Sequence, residues 1–208
     1  MDKSLVEKPD YGNWVSKKLI YIPGAISLLF WVISFALMAL VVVAVVFLLV
    51  ALYFAYARYR FSLAGGDVQT KIQELVLQHL DWNGNGKALD IGCGNGRLTI
   101  KLAQKYPEAQ VTGIDYWGKQ WEYSRSVCER NAEIEGVAER VVFQKASASA
   151  LPFDDGAFDV AVSNLVFHEV SGVRDKKNVI KEALRVVKKG GKFRIPRLIS
   201  LEEDIRRS

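Results

Sequence analysis

The chain has 208 residues, half of them apolar, with 28 basic and 23 acidic side chains and a formal net charge of +5. This length suffices for one ordinary domain with an appendage. The mild charge does not indicate nucleic-acid binding, because no basic stripe interleaved with aromatic residues accompanies it. The two cysteines and two histidines lie far apart in sequence. No zinc-type spacing therefore predicts a metal site, and we expect both thiols to be free and reduced.

A block without charged residues covers positions 19–57, with lysines before it and arginines after it. A bilayer span needs about 20 apolar residues, whereas the apolar region of a secretory signal peptide has about 7–15. A single helix would be about 58 Å long, nearly twice the hydrocarbon thickness. The block therefore predicts a membrane anchor of two short helices, with a buried hairpin in a soluble fold as the alternative. Basic residues at both ends predict that both ends lie in the cytoplasm.

The remaining chain alternates strands and helices, which predicts a doubly wound, mainly parallel α/β sheet. The predicted strands cover 87–92, 110–115, 140–146, 158–164 and a fifth that begins at 192–195. The predicted helices cover 67–80, 96–106, 117–136 and 177–191. The expected division is a cytoplasmic segment over 1–18, the anchor over 19–57, a linker over 58–66, the α/β domain over 67–195 and a polar tail over 196–208.

Three glycines at alternate positions, Gly92, Gly94 and Gly96, follow the first predicted strand. In an open parallel sheet, ligands bind beyond the carboxyl ends of the strands, so this turn predicts a cofactor site. The spacing differs from the dinucleotide pattern G-x-G-x-x-G. Asp90 before the loop would repel a pyrophosphate but suits an ammonium group, and Asp115 at the end of the second strand suits ribose hydroxyls. A ligand with an amino acid at one end and a nucleoside at the other, such as S-adenosylmethionine, fits both acids.

Four segments in order resemble the successive motifs of the class I S-adenosylmethionine-dependent methyltransferases: LDIGCGNG, VTGIDYW, ALPFDDGAFDVAVSN and VIKEALRVVKKGGKF. The resemblance runs from about position 68 to 195 and implies a Rossmann-like fold and methyl transfer. It implies that Asp90 and the loop over 92–96, which includes Cys93, hold the methionine end of the cofactor. It also implies that Asp115 binds the ribose and that Tyr116 lies against the adenine.

The same resemblance assigns residues after the third and fourth strands. Ser147 stands where the family commonly carries an acidic residue for the adenine amino group, and Ala148 would touch the adenine edge through its backbone. Asn164 would border the cofactor, and His168 would approach the methyl acceptor. A general base is needed only if the acceptor loses a proton first, and His168 or Glu169 would serve. The alternative for His168 is that it packs against or caps the following helix.

Family members usually carry two further strands after the KKGG segment, and the thirteen residues after position 195 do not supply both. The resemblance therefore predicts an incomplete sheet of about five strands, with an exposed edge and lowered stability. The favoured hypothesis is a membrane-anchored methyltransferase acting on a lipid or another membrane-associated molecule. A tethered cofactor-binding module that has lost transfer is the alternative, and the glycine spacing disfavours a nicotinamide-dependent reductase. The acceptor and the oligomeric state stay open.

Overall fold

The computed structural model describes residues 7–34, 38, 40–118, 123–164 and 173–195. Two compact units are present, one formed by residues 13–71 and one that combines the residues before 13 with those after 71. His168, Glu169 and the tail after position 195 lie outside the described residues.

The apolar block of the first unit folds into two helices, which are α1 (Lys18–Ser34) and α2 (Leu40–Arg60). The Ser27 hydroxyl donates to the Ala44 carbonyl at 2.8 Å. The Asn13 amide, just before α1, donates to the Arg58 carbonyl near the end of α2 at 2.9 Å. The first contact joins the second half of α1 to the first half of α2, and the second joins the segment before α1 to the end of α2. The two helices therefore run antiparallel.

Among the described residues, only α2 is long and apolar enough to cross a membrane, a criterion that signal sequences also meet. The shorter α1 has 17 residues. Large apolar side chains lie exposed along both helices, such as Leu28 on α1 (67%) and Leu49 on α2 (59%). The apolar block therefore forms a pair of helices, and the predicted transmembrane hairpin is not confirmed, because only one of the two described helices has the length of a membrane span.

The second unit contains a five-stranded sheet in the order β3–β2–β1–β4–β5, with every adjacent pair of strands parallel. The predicted parallel α/β sheet is confirmed. Strand order reverses between β1 and β4, and at such a reversal an open parallel sheet binds ligands beyond the carboxyl ends of its strands. In chain order the elements after α2 are α3 (Val68–Gln78), which crosses the boundary between the units, β1 (Gly86–Ile91), α4 (Arg97–Lys105), β2 (Ala109–Asp115), α5 (Arg125–Ile134), β3 (Val141–Lys145), β4 (Phe158–Ser163), α6 (Val173–Val186) and β5 (Val187–Arg194).

Two apolar clusters cover the two faces of the sheet. The first cluster includes Leu102 of α4 and Ala132 of α5, and the second includes Ala183 of α6. Along β1, Ala88 belongs to the first cluster and Leu89 to the second, because successive strand residues point to opposite faces. The alternation places Asp90 on the face covered by α4, which decides its environment.

The predicted helix over 117–136 begins too early. Helix α5 starts at Arg125, where the Ser124 hydroxyl accepts a hydrogen bond from the Val127 backbone N–H at 3.3 Å. Trp117 has a φ of 43°, which lies outside the helical region. Residues 119–122 lie outside the described part of the chain.

The predicted helix over 177–191 continues too far. Helix α6 ends at Val186, and β5 begins at the next residue. Phe158 pairs with Val187, whereas Val160 pairs with Lys192, so β5 contains an irregular bulge between these positions. Gly190, with a φ of 85°, lies in this bulge and does not end the helix. Glycine suits a bulge because it adopts positive φ without a steric cost.

Candidate cofactor site

The glycine loop over 92–96 turns sharply at the carboxyl end of β1. Gly92, Gly94 and Gly96 have φ values of 78°, 56° and 80°, a region that favours glycine over other residues. The backbone N–H groups of Gly92 and Cys93 both donate to the Ile114 carbonyl, at 2.8 and 2.9 Å. The loop is therefore bound to the last residues of the neighbouring strand β2.

Gly96 is also required by packing. A Cβ atom at this position would lie 2.8 Å from Cζ of Phe143 and 3.3 Å from Cβ of Cys128. At Gly94 the nearest atoms, which belong to Tyr123, would lie 3.7 Å away, an ordinary contact distance. Conformation therefore requires glycine at position 94, whereas conformation and close packing both require it at position 96.

The Asp115 carboxylate connects the end of β2 to the glycine loop. Its Oδ2 accepts from the Gly94 N–H at 2.9 Å, and its Oδ1 accepts from the Trp117 N–H at 2.8 Å. The Trp117 indole in turn donates to the Gly94 carbonyl at 2.8 Å. A carboxylate has about four acceptor positions, so Asp115 keeps the capacity to accept two ribose hydroxyls.

Asp90 is fully buried beside α4. Its Oδ2 accepts from the Thr99 hydroxyl at 2.7 Å, and its Oδ1 has no hydrogen-bond partner among the described residues. Burial raises the pKa of Asp90 to about 7, against the lowering effect of the Thr99 bond, and the nearby Asp115 charge raises the pKa further. A buried acceptor without a partner is costly, and an ammonium group would satisfy it and favour the ionised form.

Cys93 contributes its backbone to the turn, whereas its side chain belongs to the first apolar cluster. Burial raises the pKa of the Cys93 thiol, and a hydrogen bond with the Cys128 thiol acts in the same direction. The Cys128 thiol donates to the Gly94 carbonyl at 3.1 Å. Both cysteines are free.

The predicted adenine-side residues lie at the carboxyl ends of β2 and β3. Tyr116 is 65% exposed, and the Lys145 ammonium lies 5.1 Å from the centroid of its ring. The Ser147 side chain is exposed and pairs with the Ser149 hydroxyl at 2.9 Å, while Ala148 is half-buried against the second cluster. These residues leave an aromatic face and a hydroxyl accessible beside Asp115.

The end of β4 lies beside the end of β1. The Ser163 hydroxyl donates to the Ile91 carbonyl at 3.0 Å. The next residue, Asn164, is half-buried, and its buried Oδ1 has no hydrogen-bond partner in the described part of the chain. Asp90 and Asn164 therefore each present, at adjacent strand ends, an oxygen atom to which no described residue donates a hydrogen bond.

The structure thus places the predicted cofactor residues that it describes at the carboxyl ends of strands β1 to β4. Their chemistry fits a ligand with an ammonium group and a ribose. The sequence analysis did not identify two residues of the site. Thr99 donates a hydrogen bond to the Asp90 carboxyl group, and Trp117 donates one to the Gly94 carbonyl in the loop. Thr99 lies three residues after the glycine loop, on the face of α4 that is turned toward β1. This spacing in the sequence could have predicted its contact with Asp90. The positive φ of Trp117 has no signal in the sequence.

The chain matches the family model described as "Methyltransferase domain" over residues 89–195. It is 32% identical over 147 residues to the 27-O-demethylrifamycin SV methyltransferase of Amycolatopsis mediterranei (strain S699), covering 68% of this chain and 51% of that protein. It is 28% identical to the ubiquinone/menaquinone biosynthesis C-methyltransferase UbiE of Geobacter sp. (strain M21), covering 61% and 51%. The chain spans about half the length of these two curated relatives.

Solved structures share the same fold. The [4+2]-cyclase SpnF has a TM-score of 0.53 at 30% identity, over 60% of this chain and 43% of that one. The geranyl diphosphate C-methyltransferase of Streptomyces coelicolor A3(2), solved with S-adenosyl-L-homocysteine, has a TM-score of 0.54 at 21% identity, over 62% and 46%. The first of these is named for a cyclisation, so the fold alone does not decide the reaction.

The buried position of Asp90 makes stability depend on pH. Its folded pKa of about 7 exceeds the ordinary value of 3.8, so the folded chain binds this proton more tightly than the unfolded chain. This contribution to stability is full below about pH 4 and is lost as the pH rises to about 7. We expect Asp90→Asn to gain stability relative to the unmodified chain as the pH rises from about 4 to about 7, because the amide does not ionise.

The measurement is the free energy of unfolding in urea across this pH range, with the exposed Asp154→Asn as the matched control. The difference between Asp154→Asn and the unmodified chain should not change with pH in this way. Parallel pH profiles for Asp90→Asn and the unmodified chain would contradict the assignment.

Proposed function

The chain belongs to the class I S-adenosylmethionine-dependent methyltransferases, and we propose that it transfers the methyl group of this cofactor to a membrane-associated acceptor. The observation that carries the proposal is the joining of the glycine loop to Asp115, with Asp90 buried behind it. This arrangement offers one carboxylate to each end of a ligand that carries an ammonium group and a ribose.

The roles proposed for the individual residues follow from their positions. Asp90 and the glycine loop hold the amino-acid end of the cofactor, and Asp115 receives the ribose hydroxyls. On the adenine side, Tyr116 offers its exposed ring, Ser147 its hydroxyl and Ala148 its backbone. Asn164 borders the cofactor from β4. His168 follows four residues later and is proposed as the residue nearest the acceptor.

The bound cofactor supplies a methyl carbon that its sulfonium group already activates. The protein then contributes mainly by holding the acceptor in line with that carbon, since near-attack geometry accounts for much of such a rate enhancement. A base is required only for an acceptor that must lose a proton, and His168 is proposed for that step.

The membrane part of the proposal rests on the helical pair. Both helices expose large apolar side chains, and α2 has the length of a span. Basic residues flank the pair on both sides, which favours a cytoplasmic position for the α/β domain. We therefore propose residues 19–57 as the anchor, 1–18 and 58–66 as its flanking segments, and 67–195 as the methyltransferase domain before the polar tail. A bilayer is the proposed partner.

A tethered domain reaches acceptors that lie in or on the bilayer, such as lipids and other apolar small molecules. The relatives' names indicate varied methyl acceptors. One relative is named for a demethylrifamycin, and the other is named for ubiquinone and menaquinone biosynthesis. The second of these names supports a lipid-like acceptor.

The transfer is tested with S-adenosylmethionine that carries a labelled methyl group, incubated with the full chain and total membrane extract. We expect label in the lipid fraction, and we expect Asp115→Asn to lower the rate by about tenfold or more, because hydrogen bonds to a carboxylate are worth about 1.5–3 kcal/mol. Asp154→Asn, whose side chain is exposed, is the matched control. Cofactor binding without labelled product in any fraction would favour the tethered binding module instead.

The anchor is tested by alkaline extraction of membranes that contain the full chain. We expect the chain to stay in the membrane pellet and Leu49→Arg to release part of it, because a charge near the centre of a span costs about 2.5–3.5 kcal/mol. Tyr59→Arg, near the end of α2, is the control, since a terminal arginine reaches the interface. Complete release of the unmodified chain would rule out the anchor.

A further inference from the structure

A short segment before the helical pair belongs to the same compact unit as the sheet. We call residues 7–12 the strap. The backbone of Asp10 exchanges two hydrogen bonds with the side chain of Asn131 on α5. The Asp10 N–H donates to Oδ1 of Asn131 at 2.8 Å, and Nδ2 of Asn131 donates to the Asp10 carbonyl at 2.8 Å. Because Asp10 takes part in these two bonds only through its backbone, its residue type does not predict the contact.

The same amide also holds the glycine loop. Nδ2 of Asn131 donates to the Asn95 carbonyl at 3.0 Å, so both of its hydrogens are in use. Asn131 is 1% exposed. One buried side chain therefore binds the strap and the turn between Gly94 and Gly96 at once.

Two further contacts bring the strap to the loop. The Arg97 guanidinium carbon, one residue after Gly96, lies 4.6 Å from the centroid of the Tyr11 ring. A Cβ atom on Gly12 would lie 3.1 Å from Nδ2 of Asn95, so the strap approaches the loop closely there. The Tyr11 hydroxyl donates to Oε1 of Glu135, the residue after α5, at 3.1 Å.

We propose that the strap is part of the cofactor site and that Asn131 is the positioning residue through which the strap holds the glycine loop. The Asn95 carbonyl lies between the two glycines whose conformations define the turn. Holding it keeps the Gly94 N–H aligned with Asp115. Loss of the strap leaves the Asn131 amide with fewer partners and allows the turn to relax.

A consequence of this arrangement is coupling between the strap and the cofactor. A ligand that requires the ordered loop binds more weakly when the strap is absent, and by linkage the bound ligand stabilises the docked strap. The inference rests on the assignment of the cofactor and not on methyl transfer. The exposed ion pair between Arg130 and Glu7 also joins α5 to the strap, but such surface pairs contribute little.

The test titrates the full chain in detergent micelles with S-adenosylhomocysteine. We expect Asn131→Ala to weaken binding about tenfold, and deletion of residues 1–11 to do the same, because the first change removes three hydrogen bonds and the second removes four. The loss of affinity in the combined variant should be smaller than the product of the two separate losses, since both changes break the connection between Asp10 and Asn131. Arg125→Ala, which removes only an exposed ion pair on the same helix, is the control and should bind normally.

Hydrogen exchange supplies a second readout that does not depend on Asn131→Ala folding. In the chain without residues 1–11, exchange of the amides over 89–97 should rise, while exchange over β4 should stay as in the unmodified chain. Normal affinity and normal loop exchange after deletion would overturn the proposal. Losses that multiply in the combined variant would overturn the role of Asn131. Failure of the unmodified chain to bind would instead contradict the cofactor assignment.

Discussion

The junction between the glycine loop and the end of β2 is the interaction on which the rest of the site depends. Two loop N–H groups share the Ile114 carbonyl, and the Gly94 N–H meets the Asp115 carboxylate. These bonds fix the direction in which the chain leaves β1 and enters α4. They also turn the Asp115 carboxylate toward the loop, so that one residue shapes the turn and offers acceptors to a ligand.

The second constraint is the burial of a carboxyl group behind that junction. Asp90 lies on the α4 face of β1, where Thr99 is the only described residue that donates a hydrogen bond to its carboxyl group. Burial favours its neutral form, whereas an ammonium partner would favour its charged form. The site therefore stores an electrostatic cost in the absence of a cationic ligand. The same feature distinguishes it from a pyrophosphate site, in which a buried acid behind the loop would be repulsive.

Strands β1 to β4 were predictable because each is a short, largely apolar run that ends at a turn, and their parallel order followed from the alternation with helices. Strand β5 begins five residues before its predicted start at position 192. The helix boundaries were less predictable. The amphipathic pattern of 117–136 carries no sign of the positive φ at Trp117, which delays α5 until Arg125. Gly190 is of the residue type that commonly ends a helix, but it lies in a bulge of β5, because the pairing of β5 with β4 decides its conformation.

The glycine loop and both acids were predictable from local spacing, since the residues that form the turn are consecutive. Asn131 was not, because its partners Asn95 and Asp10 lie 36 and 121 residues away in sequence and engage it through backbone atoms. Contacts of that kind leave no pattern in the residue types. His168 was assigned from the resemblance and lies outside the described residues, so its role stays a prediction.

The most direct test of the cofactor site is isothermal titration of the full chain with S-adenosylhomocysteine and, separately, with NAD. We predict saturable binding of the first ligand and none of the second, because the buried Asp90 favours a ligand with an ammonium group and disfavours a pyrophosphate. Binding of NAD, or the absence of binding by S-adenosylhomocysteine, would contradict this prediction.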